Sequence, residues 1–290
     1  MAKQYISIIR LFDHSSIAYD TELNPSRIKK QLQAEFGFSF TGIIEIEGYT
    51  YNKADVFVEL ERLDFLQRMP YHVAVWENKS ILIFLEDHIF NIHGIRPEMK
   101  PFETDPLFIE FLSPYLAIPF NNICRLCLNN ADYADLVELL SCEDYLLPDE
   151  REEAFRAIRI FIDENISILR NLSEVTLKQS LPALKHWAVS RSGDFLNYLP
   201  DEFTAVKIDL VVHLVNFTVK IQHTNKKMCR AVSKELVKVL NLPPNLMNTV
   251  DNNDRAYQGK RISSGSKSGT GNYWWVVWVI FMLMRMLMKC

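Results

Sequence analysis

A histidine beside a carboxylate is the pairing in this chain that could do the most chemistry. Asp13-His14 and Glu86-Asp87-His88 each close a short apolar run. If those runs are strands, Asp13, His14, Asp87 and His88 fall on strand-end loops, where α/β sites collect. Two imidazoles with flanking carboxylates could bind a divalent metal and activate water for hydrolysis. Polar residues also end strands simply because the chain reaches solvent there, and that plainer role is the one expected.

Three further constellations are weaker. Cys124-x-x-Cys127 lies in a helical-looking stretch with no second Cys/His pair at zinc spacing, so two buried, inert thiols are expected. Asp209 and His213, four apart in an apolar segment, could relay a proton, but a satisfied core pair is the simpler expectation. Gly265-Ser266-Lys267-Ser268 hints at a phosphate loop and fails in detail. Its Lys does not follow the Gly directly, and Lys260 stands where the first Gly should be. No motif calls for a cofactor or specifies a metal site.

The elements that would position these residues follow from periodicity. Gln4 to Phe12 has the short apolar run of a buried strand. Asn24-Pro25 opens a helix, with Ile28, Leu32 and Phe36 on one face and Gly37 at its end. Gly42 to Tyr51 alternates as a second strand, and Phe57, Leu60 and Leu63 favour a helix over Asp55 to Gln67. Tyr71–Trp76 and Ile81–Leu85 suggest a hairpin turned at Glu77-Asn78-Lys79. The expected fold class is therefore an α+β N-terminal domain over residues 1–98, followed by an all-helical domain over 102–250. Pro97 and Pro101 mark the break between them. Helices are expected over Pro148–Leu172, Asp201–Gln222 and Asn225–Leu240, the first with acidic residues in its first turn.

Composition sets the remaining bounds. The 290 residues are 48% hydrophobic and 23% charged, as in an ordinary folded protein. The net charge of −4 divides unevenly. Six basic and two acidic residues from Asp251 onward give +4, which leaves −8 on residues 1–250. An acidic body argues against a nucleic-acid partner. Five scattered cysteines are no disulfide framework, so a reducing compartment is expected, and the N-terminus lacks the h-region of a signal peptide.

Residues 251–272 turn polar and rich in Gly and Ser, which is the composition of a flexible tether. Residues 273–290 follow as an apolar, Trp-rich segment: Tyr273, Trp274, Trp275, Trp278 and Phe281 precede Arg285. From Tyr273 to Met288 a helix would reach about 24 Å, against a hydrocarbon core of about 30 Å. Snorkelling of Arg285 and Lys289 could cover the difference. Seven apolar residues contribute about −2 to −4 kcal/mol toward insertion.

The resulting expectation is a tail-anchored, cytoplasm-facing interaction or sensor protein. Its partners would be membrane lipid through the tail and a protein or second copy through the body. Two alternatives differ in class. One is a membrane-perturbing effector acting through clustered tails, since a charge such as Arg285 within a span is rarely idle. The other is the metal-dependent hydrolase built on the His and Asp residues above.

Overall fold

The computed structural model describes residues 4–19, 23–90 and 105–259. The break at 97–101, most of the expected tether and the whole apolar segment from Tyr273 to Arg285 and beyond lie outside those residues.

The N-terminal region is helical with one small hairpin, not the α+β unit expected. Helix α1 (Ile8–His14) replaces the first strand, and Ile8, Ile9, Arg10, Leu11 and Phe12 are all buried along it. A helix enclosed on every side loses its amphipathic stripe, so a run this short resembles a buried strand. Helix α2 (Pro25–Gly37) begins as expected: the Asn24 side chain accepts from the Arg27 N–H at 3.1 Å, and Ile28, Leu32 and Phe36 face inward. Strands β1 (Ile43–Ile46) and β2 (Tyr49–Asn52) pair antiparallel, Ile46 opposite Tyr49. Glu47 and Gly48 between them both have positive φ, 53° and 87°, the geometry of a type I′ turn. The single strand expected over 42–51 thus folds back on itself. Helix α3 (Lys53–Leu60) follows directly, capped by Asn52, whose side chain accepts from Ala54 N–H at 2.9 Å.

The second expected hairpin is also a helix pair. Helix α4 (Phe65–Glu77) carries Phe65, Met69, His72 and Val75 on its buried face, spacings of four, three and three. Helix α5 (Lys79–Asp87) buries Ile81, Leu82, Phe84 and Leu85. The turn does fall at Asn78. Its N–H bonds the Ala74 carbonyl at 3.1 Å while its own carbonyl accepts from Leu82 at 3.0 Å, closing one helix and opening the next.

Beyond the break the described residues are helical. Helix α6 (Pro106–Asn130) runs through the centre of the large core. It is long and apolar enough to cross a membrane by length and composition, but 67% of its apolar window is buried inside the protein. Two buried polar residues on it serve its neighbours. Ser113 Oγ accepts from the Leu147 N–H at 2.7 Å and Asn121 Oδ1 from the Ala157 N–H at 2.8 Å, satisfying donors at helix starts that would otherwise be orphaned. Around α6 pack α7 (Tyr133–Leu140), α8 (Pro148–Ala154) and α9 (Arg156–Arg170); the short α10 (Glu174–Ser180) follows α9 in the chain. Then α11 (Ser192–Asn197), α12 (Thr204–Ile221), α13 (Lys226–Leu236) and α14 (Pro244–Tyr257) complete the body. Helix α14 carries the chain to Tyr257, into the segment expected as tether.

The described residues form two hydrophobic cores. The smaller gathers α1, α2, the hairpin and α3, and the larger gathers α5 onward. Helix α4 joins them, giving Phe65 and Met69 to the first and Val75 to the second.

Candidate functional site

A cleft of about 400 Å3 opens where the two cores meet. The extended chain of residues 4–7, strand β2 and helix α3 form its sides, and His72 of α4, Glu86 of α5 and Tyr115 of α6 reach it from below. The sequence places these residues simply. The strand alternation that buries Ile46 and Tyr51 sends Tyr49 and Tyr51 to one face of the hairpin, and the helical stripe of α4 sends His72 inward.

Two ion-pair networks hold its floor. Arg10 meets Glu86 in a bidentate pair at 2.7 Å for each contact, with side chains only 7% and 5% exposed. The Arg10 guanidinium also lies 3.8 Å from the centre of the Tyr49 ring, and Glu47 approaches its Nε at 3.2 Å. Burial opposes the Arg10 charge, but the Glu86 and Tyr51 hydrogen bonds and the Glu86 charge more than offset it, so its pKa rises. Burial pushes the Glu86 carboxyl up more than the Arg10 hydrogen bond and charge pull it back, so its pKa lies above the ordinary carboxylate value.

The second network joins Glu59, Arg68, His72, Tyr5 and Tyr115. Glu59 Oε1 accepts from Arg68 Nε at 2.7 Å and lies 3.2 Å from His72 Nε2. Tyr5 Oη sits 3.3 Å from the other imidazole nitrogen, and Arg68 donates to Tyr115 Oη at 3.0 Å. Burial raises the Glu59 pKa, but the His72 and Arg68 hydrogen bonds and the Arg68 charge carry it down to about 2. Burial depresses His72 despite Glu59, so the ring is neutral. A neutral ring satisfies both neighbours when Nε2 donates to Glu59 and Nδ1 accepts from the Tyr5 hydroxyl, the tautomer this network selects.

The line Tyr5–His72–Glu59 has the order of a nucleophile, a base and an orienting carboxylate, yet its electrostatics run the other way. Burial, and then the Glu86 charge, lift the Tyr5 pKa well above 10. Burial lifts Tyr51 and Tyr115 to about 12 each. The phenols stay protonated, and the cleft offers fixed hydroxyls rather than a phenolate. The negative charge is nearer the opening. Asp55 lines the cleft in the first turn of α3, and exposed Asp87 accepts from Tyr49 Oη at 2.9 Å. Arg10 and Arg68 are already engaged by Glu86 and Glu59, and Glu47 also meets Arg10, so Asp55 in the cleft wall and Asp87 beside Tyr49 are the carboxylates here with no ion pair among the described residues. Such a cleft can take a cation between Asp55 and the tyrosine rings.

No protein-family model matches the chain, and neither a curated protein nor a solved structure shows similarity to it.

Of the described residues proposed from sequence as a site, none lines this cleft, and Asp87 touches it through Tyr49. Asp13 and His14 end helix α1, both exposed, where a strand end was expected. Asp87 and His88 end helix α5. His88 takes a left-handed conformation, φ 54°, and its Nδ1 lies 2.9 Å from Asn122 Nδ2 on α6. Among the described residues no three His, Cys, Asp or Glu side chains are grouped to hold a metal. Asp209 and His213 are tied to Arg170 of α9, the carboxylate at 2.6 Å and the imidazole at 3.1 Å. Cys124 and Cys127 are buried free thiols, and burial pushes both pKa values up, Cys127 to about 12. The membrane residues Tyr273, Trp274, Trp275, Trp278, Phe281 and Arg285 lie outside the described residues.

What sequence reading missed was Tyr5, Glu59, His72 and Tyr115. One signal was available: a histidine on the apolar stripe of α4 must find partners when buried. It is hidden because the sequence of Tyr71–Trp76 alternates like a strand, which would send His72 to the outer face.

Proposed function

We infer that this is a membrane-attached interaction protein whose body takes a cationic ligand in the cleft beside β2, with the cytoplasm as its working side. The observation that carries the reading is the cleft itself. Its floor is fixed by two ion-pair networks, its walls offer protonated tyrosines, and Asp55 lines it with no ion-pair partner among the described residues. A floor already paired costs little reorganisation on binding. Membrane attachment rests on the apolar sequence from Tyr273 to Met288 and the basic residues flanking it.

Two assays test the halves of the reading. In the first, the full-length protein floats with anionic vesicles and a chain lacking Tyr273–Cys290 does not; flotation of the shortened chain would remove the tail from its role. In the second, Nα-acetyl-lysine methylamide shifts the amide resonances of Tyr49, Tyr51 and Asp55, and the glutamate counterpart leaves them in place. Equal response to both compounds would overturn the cation reading. Release of dye from the same vesicles by the protein alone would instead favour the membrane-perturbing role that Arg285 suggests.

A further inference from the structure

The cleft has a sheet edge on one side, and that edge specifies more than charge. The Lys53 N–H donates to the Gly42 carbonyl at 2.9 Å. Gly42 and Lys53 continue the register in which Ile43 faces Asn52 and Ile46 faces Tyr49. Antiparallel pairs alternate between those that exchange both hydrogen bonds and those that exchange none. The bonded pairs are therefore Gly42–Lys53, Ile44–Tyr51 and Ile46–Tyr49. Thr50, opposite Glu45, turns its N–H and carbonyl away from β1. Thr50 is exposed, lines the cleft, and its backbone groups have no partner among the described residues. Among the described residues the sheet has only these two strands, and none of those residues pairs with the outer edge of β2.

A second observation points into the same space. Ser7 lines the opposite wall and is 1% exposed, yet its Oγ has no hydrogen-bond partner among the described residues. A buried hydroxyl left unpaired in a native cleft marks a place where a ligand or water completes the bonding.

We propose that the ligand is an extended polypeptide segment bearing lysine or arginine at alternate positions, which adds to the edge of β2 as a third strand. This deepens the cation reading of the cleft and rests on it. Charge complementarity chooses the occupant: residues 1–250 carry a net −8, Asp55 lines the cleft, and Asp87 holds the Tyr49 hydroxyl, both without an ion pair among the described residues. Strand periodicity explains the alternation, because every second side chain of an added strand lies on the Tyr49–Tyr51 face and the others point to solvent. The four residues of β2 limit the paired stretch to a short one, so side-chain cations must supply the affinity that few backbone bonds cannot.

The test uses the full-length protein in non-ionic detergent and a labelled heptapeptide, acetyl-Ser-Lys-Val-Lys-Val-Lys-Ser-amide, read by fluorescence anisotropy. Replacing its lysines with glutamate should weaken binding by about 30-fold or more. N-methylation of the peptide nitrogens at alternate positions should cost about tenfold in one of the two phases, since only one set of donors faces β2. Thr50→Pro should cause a loss of similar size, because it deletes an outward donor and leaves the β1–β2 ladder intact. Thr50→Ala should leave the affinity within about threefold. Undiminished binding of both N-methylated peptides overturns edge pairing while leaving the cation cleft in place. Failure of the lysine peptide to bind at all, with lysine methylamide still shifting the cleft resonances, overturns this inference alone. Failure of both probes overturns the cleft reading as well.

Discussion

Replacing Glu59 with Gln removes the charge on which the second floor network turns, and its cost can be worked out in two ways. Glu59 has a carboxyl pKa near 2 against an ordinary 4.5, because His72 and Arg68 overcome its burial. That difference, at about 1.4 kcal/mol per unit, amounts to about 3 kcal/mol. Screening where the side chain meets solvent brings it nearer to about 2 kcal/mol. Counted from the partners, the change leaves the Arg68 guanidinium, 11% exposed, facing a neutral amide. Breaking a buried pair in this way costs about 3 kcal/mol or more. The folded-state pKa is depressed, so the stabilisation is fully present above pH 4.5 and disappears as pH falls toward 2. Urea denaturation followed by circular dichroism should therefore show Glu59→Gln less stable by about 2–3 kcal/mol at pH 7. At pH 3 the gap should shrink to about 1 kcal/mol. A gap under about 1 kcal/mol at pH 7, or one that stays constant with pH, would mean that the carboxylate is hydrated and the floor is not held as described.

Other outcomes follow from particular contacts. Gly193→Ala should lower the melting temperature by about 5 °C or more, since a Cβ there would sit 2.1 Å from the Glu235 carbonyl oxygen and force α11 away from α13; an unchanged melting temperature would refute that close approach. Burial depresses the His186 pKa to about 4, and its Nε2 has no partner among the described residues. The folded state resists the proton that the unfolded chain takes up near pH 6.5, so stability falls with pH from there to about 4; His186→Phe should flatten that limb by about 2 kcal/mol, visible as a smaller gap between melts at pH 7.5 and pH 4.5. The native protein should protect Cys124 and Cys127 from an aromatic disulfide reagent by about 100-fold or more relative to the protein in urea, and rapid labelling of either would contradict their burial.

How far the sequence could be followed depended on whether a segment met solvent on one side. Helix α2 has an exposed face, a capping Asn24 and Pro25 at its first position, so its stripe and ends were legible. Helix α1 is covered on every side, and its apolar run carries no period that separates helix from strand. In α4 the window Tyr71–Trp76 alternates by chance, while the period that decides it needs Phe65 and Met69 upstream. The hairpin was half legible: its alternation was clear, but the reversal at Glu47-Gly48 needs a left-handed glutamate that residue preference does not suggest. The cleft was least legible, because its pairs join residues 76 apart, Arg10 to Glu86, and 67 apart, Tyr5 to His72. Only the fold brings such partners together, whereas Asp13-His14 and Asp87-His88 drew attention by adjacency alone.

Membrane attachment and cation capture meet in one experiment: flotation of the labelled lysine heptapeptide on anionic vesicles carrying the full-length protein. The peptide should rise with vesicles that bear the protein, beyond the amount that bare vesicles retain. It should stay at the bottom with an Asp55→Lys, Asp87→Lys double variant that itself still floats. A peptide that rises equally with the variant, or a full-length protein that never leaves the bottom of the gradient, would contradict the proposal of a membrane-attached body with a cation-binding cleft.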